Sequence, residues 1–212
     1  MDFSKYVAID FETFYSKEYS IAGNSTWWYV HQPDFDPYLV TLANDDMEYV
    51  GHPKDFDWSL VKGMTLVAHN ASFDQRVFER AQELGIIPAV KLVGWECSAD
   101  LSTYCQMARP LAAAVKAVFG EDLDKGVRDS MKGKTWEDLV AADKGKEVME
   151  YALADSEWAW KLWKELGPSW PAHERALSRH TRQMAWEGMP VNVKAVEDGR
   201  DTLERSMFEA KN

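Results

Sequence analysis

Cysteine is scarce in this chain of 212 residues: only Cys97 and Cys105 are present, and their spacing matches neither a metal-binding nor a redox motif. Two free thiols fit a reducing cytosol and argue against a disulfide framework. Long apolar runs are also missing. Leu111 to Val118 is among the longest, and it is short and interrupted by Lys116, which excludes a membrane span. No basic start followed by an apolar segment marks an export signal, and no internal repeat or low-complexity tract is visible. An excess of basic residues is absent too: 24 Lys and Arg face 35 Asp and Glu, a net charge of -11. A protein that grips nucleic acid by its phosphates carries a basic face. Any such role here must rest on local lysines and arginines and on cations held by the acids.

What the chain does have is core material. Hydrophobic residues make up 46%, including 10 Trp, 9 Phe and 8 Tyr, enough for one sizeable domain or a domain with an appendage. Tyr6 to Ile9 is a short apolar run that predicts a buried strand. A polar and aromatic connection follows, with a turn signal at Ala22-Gly23-Asn24-Ser25. Residues 37–43 and 47–51, joined by Asn44-Asp45-Asp46, predict a hairpin beside the first strand. A short helix is expected over Phe56 to Val61. Thr65 to Asn70 reads as a further strand running into a helix over 71–84, with Asn70 or Ser72 at its start and Gly85 past its end.

Trp95 to Ser98 predicts a short strand, and helical spacing recurs at 98–108, 110–119, 135–144 and 146–165. Pro168-Ser169-Trp170-Pro171 is a break. A helix over 172–187 and a polar last helix capped by Asn192 follow. The alternation predicts an α/β fold, with one domain over 1–167 and a helical extension over 168–212.

Three separated stretches offer acids with supporting neighbours. Asp10 and Glu12 end the first apolar run, and side chains two apart on a strand share a face. Two adjacent carboxylates at the rim of a core repel each other unless a cation lies between them, and oxygen donors favour magnesium or manganese over zinc. Alone, such a triplet also fits a solvated strand end. The second stretch is Asn70-x-x-Phe73-Asp74, at a strand-to-helix corner. The third is Tyr151-x-x-x-Asp155, whose spacing stacks phenol and carboxylate on one helical face.

Asp-x-Glu, Asn-x-x-Phe-Asp and Tyr-x-x-x-Asp, in that order, resemble the three motifs of the DEDD 3′–5′ exonucleases in their tyrosine variant. The resemblance spans roughly residues 5 to 166. The histidine variant places its His five residues before the last Asp, where this chain has Glu150. The wording around Asp10-Phe11-Glu12-Thr13, Leu66 to Asn70, Cys97, Arg109-Pro110-Leu111 and Lys125-Gly126 is similar to the proofreading domains of phage-type family A DNA polymerases. Met184 to Val191 looks like the connection into a polymerase thumb, and no palm motif follows. The chain is therefore expected to be either a free-standing exonuclease or one linked to a polymerase domain.

The resemblance implies a ribonuclease H-like mixed sheet flanked by helices, with a C-terminal helical appendage. It implies two Mg²⁺ or Mn²⁺ ions held by Asp10, Glu12, Asp74 and Asp155, with Asp10 bridging and Asp74 acting through water. Tyr151 would orient the attacking water. The substrate implied is the 3′ end of single-stranded DNA in the cytoplasm, with no membrane partner. Asn70, Phe73, Phe11 and Thr13 are the implied substrate-binding residues, with Asn70 as a helix cap and Phe73, Phe11 and Phe14 as core packing the alternative readings. Lys125, Arg128, Lys132 and Lys134 form a basic cluster that suits either a phosphate backbone or a solvated loop. His69 reads as structural, and Trp158, Trp160 and Trp163 as core or interdomain surface. Two alternatives stay open: an RNA-processing exonuclease of the same superfamily, and a binding module without catalysis. The second is disfavoured because all four acids and the tyrosine are present.

Overall fold

In the computed structural model, which describes residues 1–123 and 126–211, the strand-forming runs assemble into one five-stranded mixed sheet. The strands are β1 Tyr6–Glu12, β2 Leu39–Ala43, β3 Glu48–Gly51, β4 Thr65–Ala68 and β5 Gly94–Cys97, in the order β3-β2-β1-β4-β5. β1 runs antiparallel to β2 and parallel to β4. The expected hairpin is present, its turn closed by the Asn44 N–H on the Met47 carbonyl at 2.9 Å. Val7, Ala8 and Ile9 are fully buried, as a central strand covered on both faces requires. The apolar run stops at Ile9, and pairing carries the strand on through Asp10↔Thr41 to Glu12↔Leu39. The neighbouring β2 supplies the backbone partners, so the two acids sit on one strand, as their spacing predicts.

The helices are α1 Thr26–Val30, α2 Ala71–Glu83, α3 Ser98–Tyr104, α4 Leu111–Phe119, α5 Gly126–Met131, α6 Trp136–Ala141, α7 Gly145–Leu166, α8 Ala172–Glu187 and α9 Val193–Lys211. The long α7 lies across the sheet, where the Thr41 hydroxyl of β2 donates to the Ala152 carbonyl at 3.2 Å. Trp160 and Trp163 of α7 pack with Ala8, Val67, Leu101 and Trp170. Nearer the other end of the helix, Val148 and Ala152 pack with Tyr38, Leu39, Met131 and Leu139. Each fully buried side chain of this size contributes roughly 1.5–3 kcal/mol. Trp158 instead packs against Ala114 and Val115 of α4.

Several local expectations change. The helix expected over 56–61 is a 3₁₀ turn over Trp58–Val61, started by Asp57 accepting from the Ser59 N–H. The segment expected over 98–108 stops at Tyr104, and Gln106 follows with φ 59°. Pro110 caps α4 rather than lying in its first turn. α1 and α5 arise in stretches read as connections, and α1 is capped by Ser25, which accepts from the Trp28 N–H at 3.0 Å. The expected basic position Lys125 lies outside the described residues.

One compact unit covers Met1–His180, and a second begins at Thr181. In the second, α9 is capped by Asn192, whose side chain accepts from the Ala195 N–H at 3.1 Å, and α9 buries no residue. Among the described residues no helix is long and apolar enough to cross a membrane.

Candidate active site

β1 and α7 cross with their acids facing each other. Strand geometry sets Asp10 and Glu12 on one face, and one helical turn sets Tyr151 beside Asp155. One carboxylate oxygen from each of Asp10, Glu12 and Asp155 lies within 4.8 Å of the others. Asp74 arrives from the first turn of α2 and is 2% exposed. Its Oδ1 accepts from the Phe11 N–H at 3.2 Å, which ties α2 to β1 between the two strand acids.

The corner that delivers Asp74 differs from the expected cap. Asn70 adopts a left-handed backbone at φ 94°, which asparagine tolerates better than most residues. Its main-chain carbonyl accepts from the Phe73 N–H at 2.8 Å, and its side chain makes no capping bond. The amide is thus left to line the cleft.

Crowded acids without a counterion resist ionisation. Burial, then the charges of Asp74, Glu12 and Asp155, hold Asp10 well above the usual carboxylate range. Burial, then Asp155, pushes Glu12 up to about 8. Burial raises Asp74 to about 7 against the pull of the Phe11 amide, and raises Asp155 to about 6 against its bond from the Tyr151 hydroxyl. The Tyr151 phenol is itself pushed up by burial, then by Asp155 and Glu12. Four carboxylates that repel one another in a half-buried floor are a site for cations. Every donor is a hard oxygen, with no thiolate or imidazole in the group. The donor set fits two divalent metal ions of the Mg²⁺ or Mn²⁺ type.

Above this floor opens a cleft of about 970 Å³. Phe11, Thr13, Asn70 and Phe73 all line it, but differently. The Phe11 side chain is 4% exposed and belongs mostly to the core. Thr13 is committed to the Tyr29 hydroxyl at 2.7 Å. Phe73 is half-buried, with its ring 5.9 Å from that of Tyr29. The Phe14 ring stacks on Tyr19 instead. His69 is structural, as expected: its ring nitrogens meet the Ser98 hydroxyl at 2.9 Å and the Arg109 carbonyl at 2.8 Å, and burial holds its pKa down to about 4.

Of the basic cluster, Arg128 and Lys132 line the cleft. Sequence reasoning missed Tyr15, Lys17 and Arg109 as cleft residues. Arg109 lay within a stretch already singled out, whereas nothing local marked Tyr15.

No protein-family model matches the chain, and no curated protein does either. Solved structures do match. Escherichia coli RNase D, an exoribonuclease involved in structured RNA processing, aligns with a TM-score of 0.54 at 19% identity, over 87% of this chain and 46% of its own. Brucella melitensis NrnC with bound Mg²⁺ aligns with a TM-score of 0.57 at 14% identity, over 89% of this chain and 90% of its own. The catalytic core of RRP6 from Trypanosoma brucei gives 0.51 at 14% identity, over 84% and 43%. The fold is the ribonuclease H-like fold of known nucleases. This chain spans about half the length of RNase D and RRP6 and nine tenths of NrnC. At these identities the likeness speaks to the fold, and it agrees with the mixed sheet, flanking helices and C-terminal helix expected from the sequence.

Proposed function

We propose that the chain is a metal-dependent 3′–5′ exonuclease acting on single-stranded nucleic acid. The observation that carries this reading is the convergence of Asp10, Glu12 and Asp155 within 4.8 Å, beside Asp74 and Tyr151, on the floor of an open cleft. In the reaction a water oxygen attacks the terminal phosphorus and the P–O3′ bond breaks. The departing O3′ takes a proton, and a 5′-mononucleotide is released. Asp10, Glu12 and Asp155 would hold the metals directly, with Asp74 beside them, and the resemblance implies Asp10 as the shared ligand and Asp74 as one acting through water. Two divalent ions bound there would stabilise the attacking and leaving oxygens of an in-line displacement. Tyr151, whose raised pKa keeps its phenol neutral, orients the attacking water. The Asn70 amide and the Phe73 ring hold the terminal nucleotide, the ring by stacking on its base. The 3′–5′ polarity rests on the resemblance to the DEDD 3′–5′ exonucleases.

Between the substrates, RNA is the reading with more support. E. coli RNase D, an exoribonuclease, shares the fold. The DNA reading, with proofreading for a linked polymerase domain, rests on the local wording around Asp10 to Thr13 and Leu66 to Asn70. Oligonucleotides of one sequence, as RNA and as DNA, separate the two readings, because the 2′-OH is the group by which proteins tell them apart. With Mg²⁺ or Mn²⁺ the 3′-terminal nucleotide is released first, and chelator or a blocked 3′ end stops release. Asp10→Ala and Asp155→Ala are expected to remain folded and to be inactive. If either digests the preferred strand as the wild type does, the assignment is wrong.

A further inference from the structure

Tyr15 grips the segment after α4 at two points. Its hydroxyl donates to the Arg128 carbonyl at 2.6 Å, and its own carbonyl accepts from the Gly133 N–H at 2.7 Å. Between those points Met131, 1% exposed, plugs into the cluster formed by Tyr38, Leu39 and Leu139. Residues 128–133 are therefore pinned at both ends and anchored in the middle. Tyr15 lies only three positions beyond Glu12, so the clamp fixes the segment relative to the acidic strand itself.

This clamp presents Arg128 on the cleft wall that Asp10, Glu12 and Asp155 also line. Its charge reaches all three of those acids, favouring their ionised forms, and it reaches Tyr151 as well. Among the described residues no carboxylate closes an ion pair with Arg128. The contrast is Arg109, also on the cleft, whose guanidinium is spent on Asp100 at 2.5 Å. A guanidinium that is charged at every working pH, carries a planar fork of donors, and stands beside the acids without closing on one of them is suited to an anion from outside.

The charge balance over the acidic floor selects a phosphate. Four carboxylates are balanced by two divalent ions. The phosphodiester adds one further negative charge, and more develops on its oxygens as the bond to O3′ breaks. That excess must be met by fixed donors of the protein. We propose that Arg128, positioned by Tyr15, binds the scissile phosphate and stabilises the charge that develops on it. The inference rests on the exonuclease reading and adds to it one catalytic residue and one positioning residue.

The test uses the full chain, with Arg128→Ala, Arg128→Lys and Tyr15→Phe beside the wild type. Binding of a 5′-fluorescein oligouridylate and of its thymidylate counterpart is followed by anisotropy over a range of salt, with Ca²⁺ in place of the active ion. One phosphate contact to a single strand contributes about 0.7 to the slope of log K against log salt. Arg128→Ala is expected to lose about that much slope, whereas Arg128→Lys and Tyr15→Phe keep it. Single-turnover hydrolysis with Mn²⁺ is expected to fall about 10²-fold in Arg128→Ala. Arg128→Lys, which keeps the charge but lacks the fork, and Tyr15→Phe, which keeps the guanidinium but loses one of the two clamping bonds, should lie between. Melting temperatures should stay within a few degrees, so a folding defect does not mimic the effect.

An unchanged slope in Arg128→Ala overturns the proposal. A reduced slope with an unchanged rate overturns the placement at the scissile phosphate. If the wild type hydrolyses neither strand, the exonuclease reading fails, and the salt slope still decides whether Arg128 meets a phosphate.

Discussion

The backbone N–H of Phe11 donates to Asp74 Oδ1 at 3.2 Å, so the acid contributed by α2 is fastened to the strand that carries Asp10 and Glu12. One oxygen of Asp74 thereby has a structural duty, while its charge adds to the repulsion within the cluster. The two roles come apart on substitution. Asp74→Asn keeps an acceptor for Phe11 and removes a charge. With chelator present it should melt at or above the wild-type temperature, while hydrolysis falls by at least about 10²-fold. Asp74→Ala leaves the Phe11 N–H without that acceptor, at a cost of about 1–3 kcal/mol. It should melt below Asp74→Asn and be equally inactive. Thermal melts in chelator beside a metal-dependent assay check both.

The raised carboxyl groups give the metal-free protein an unusual dependence on pH. Glu12 rises from 4.5 to about 8, Asp74 from 3.8 to about 7 and Asp155 from 3.8 to about 6. The folded state holds protons that the unfolded chain releases at lower pH, so stability falls as pH rises. The contribution is complete below about pH 4 and is lost as pH passes through about 6 to 8. In chelator the melting temperature should therefore drop between pH 5 and 8, and Glu12→Gln should drop less. Added Mn²⁺ should restore the loss and release protons on binding near pH 6.5, which titration calorimetry in buffers of different ionisation enthalpy detects. A chelated wild type that keeps its melting temperature across this range would sink the argument.

Tyr151 is expected to act as a neutral hydroxyl. Burial, Asp155 and Glu12 all push its phenol upward from a starting value near 10, so it stays protonated at every pH at which the protein is assayed. Tyr151→Phe should lower kcat by about 10- to 100-fold, less than the loss of a general base, with KM little changed. The pH profiles of wild type and variant should run parallel up to pH 9. A wild-type rate that climbs with pH and a variant rate that does not would make the phenolate the base instead.

The parts of the site that were legible in the sequence are those in which chemistry dictates a short local spacing. Asp10 and Glu12 share a strand face, Asn70, Phe73 and Asp74 share one corner, and Tyr151 and Asp155 share one helical turn. Each leaves a pattern within five residues. The hairpin of β2 and β3 was legible beside the first strand, but the register that pairs Asp10 with Thr41 and Glu12 with Leu39 was not, because β2 lies nearly thirty residues away. The α1 and α5 helices are five and six residues long, too short to display a helical period. Asn70 looked like a side-chain cap because asparagine favours that position, but its left-handed backbone lets the carbonyl do the work instead. The bond from Tyr15 to Arg128 spans 113 positions and has no local signature, which is why Arg128 was grouped with a basic loop.

A second long-range contact ties α8 to the sheet. Glu96 on β5 is 2% exposed, and its Oε1 accepts from Arg175 Nη2 at 2.6 Å and from Arg179 Nη1 at 2.7 Å. Arg175 Nη2 also donates to the Tyr6 hydroxyl at 3.1 Å, which fastens the start of α8 to two strands of the sheet. Removing Glu96 leaves Arg175, 19% exposed, and Arg179, 45% exposed, partly solvated, so the loss is discounted to about 2 kcal/mol from the roughly 3–5 kcal/mol of a fully buried pair. Glu96→Ala should therefore lower the melting temperature by about 4–8 °C, taking 2–4 °C per kcal/mol for a protein of this size. Arg179→Ala should cost no more than about 1 kcal/mol, because that side chain is 45% exposed and screened by solvent. Neither change touches the acidic floor, so both variants should keep the wild-type rate at a temperature at which they are folded. A Glu96→Ala protein that melts within about 2 °C of the wild type would show that α8 is held to the sheet by its apolar packing rather than by this carboxylate.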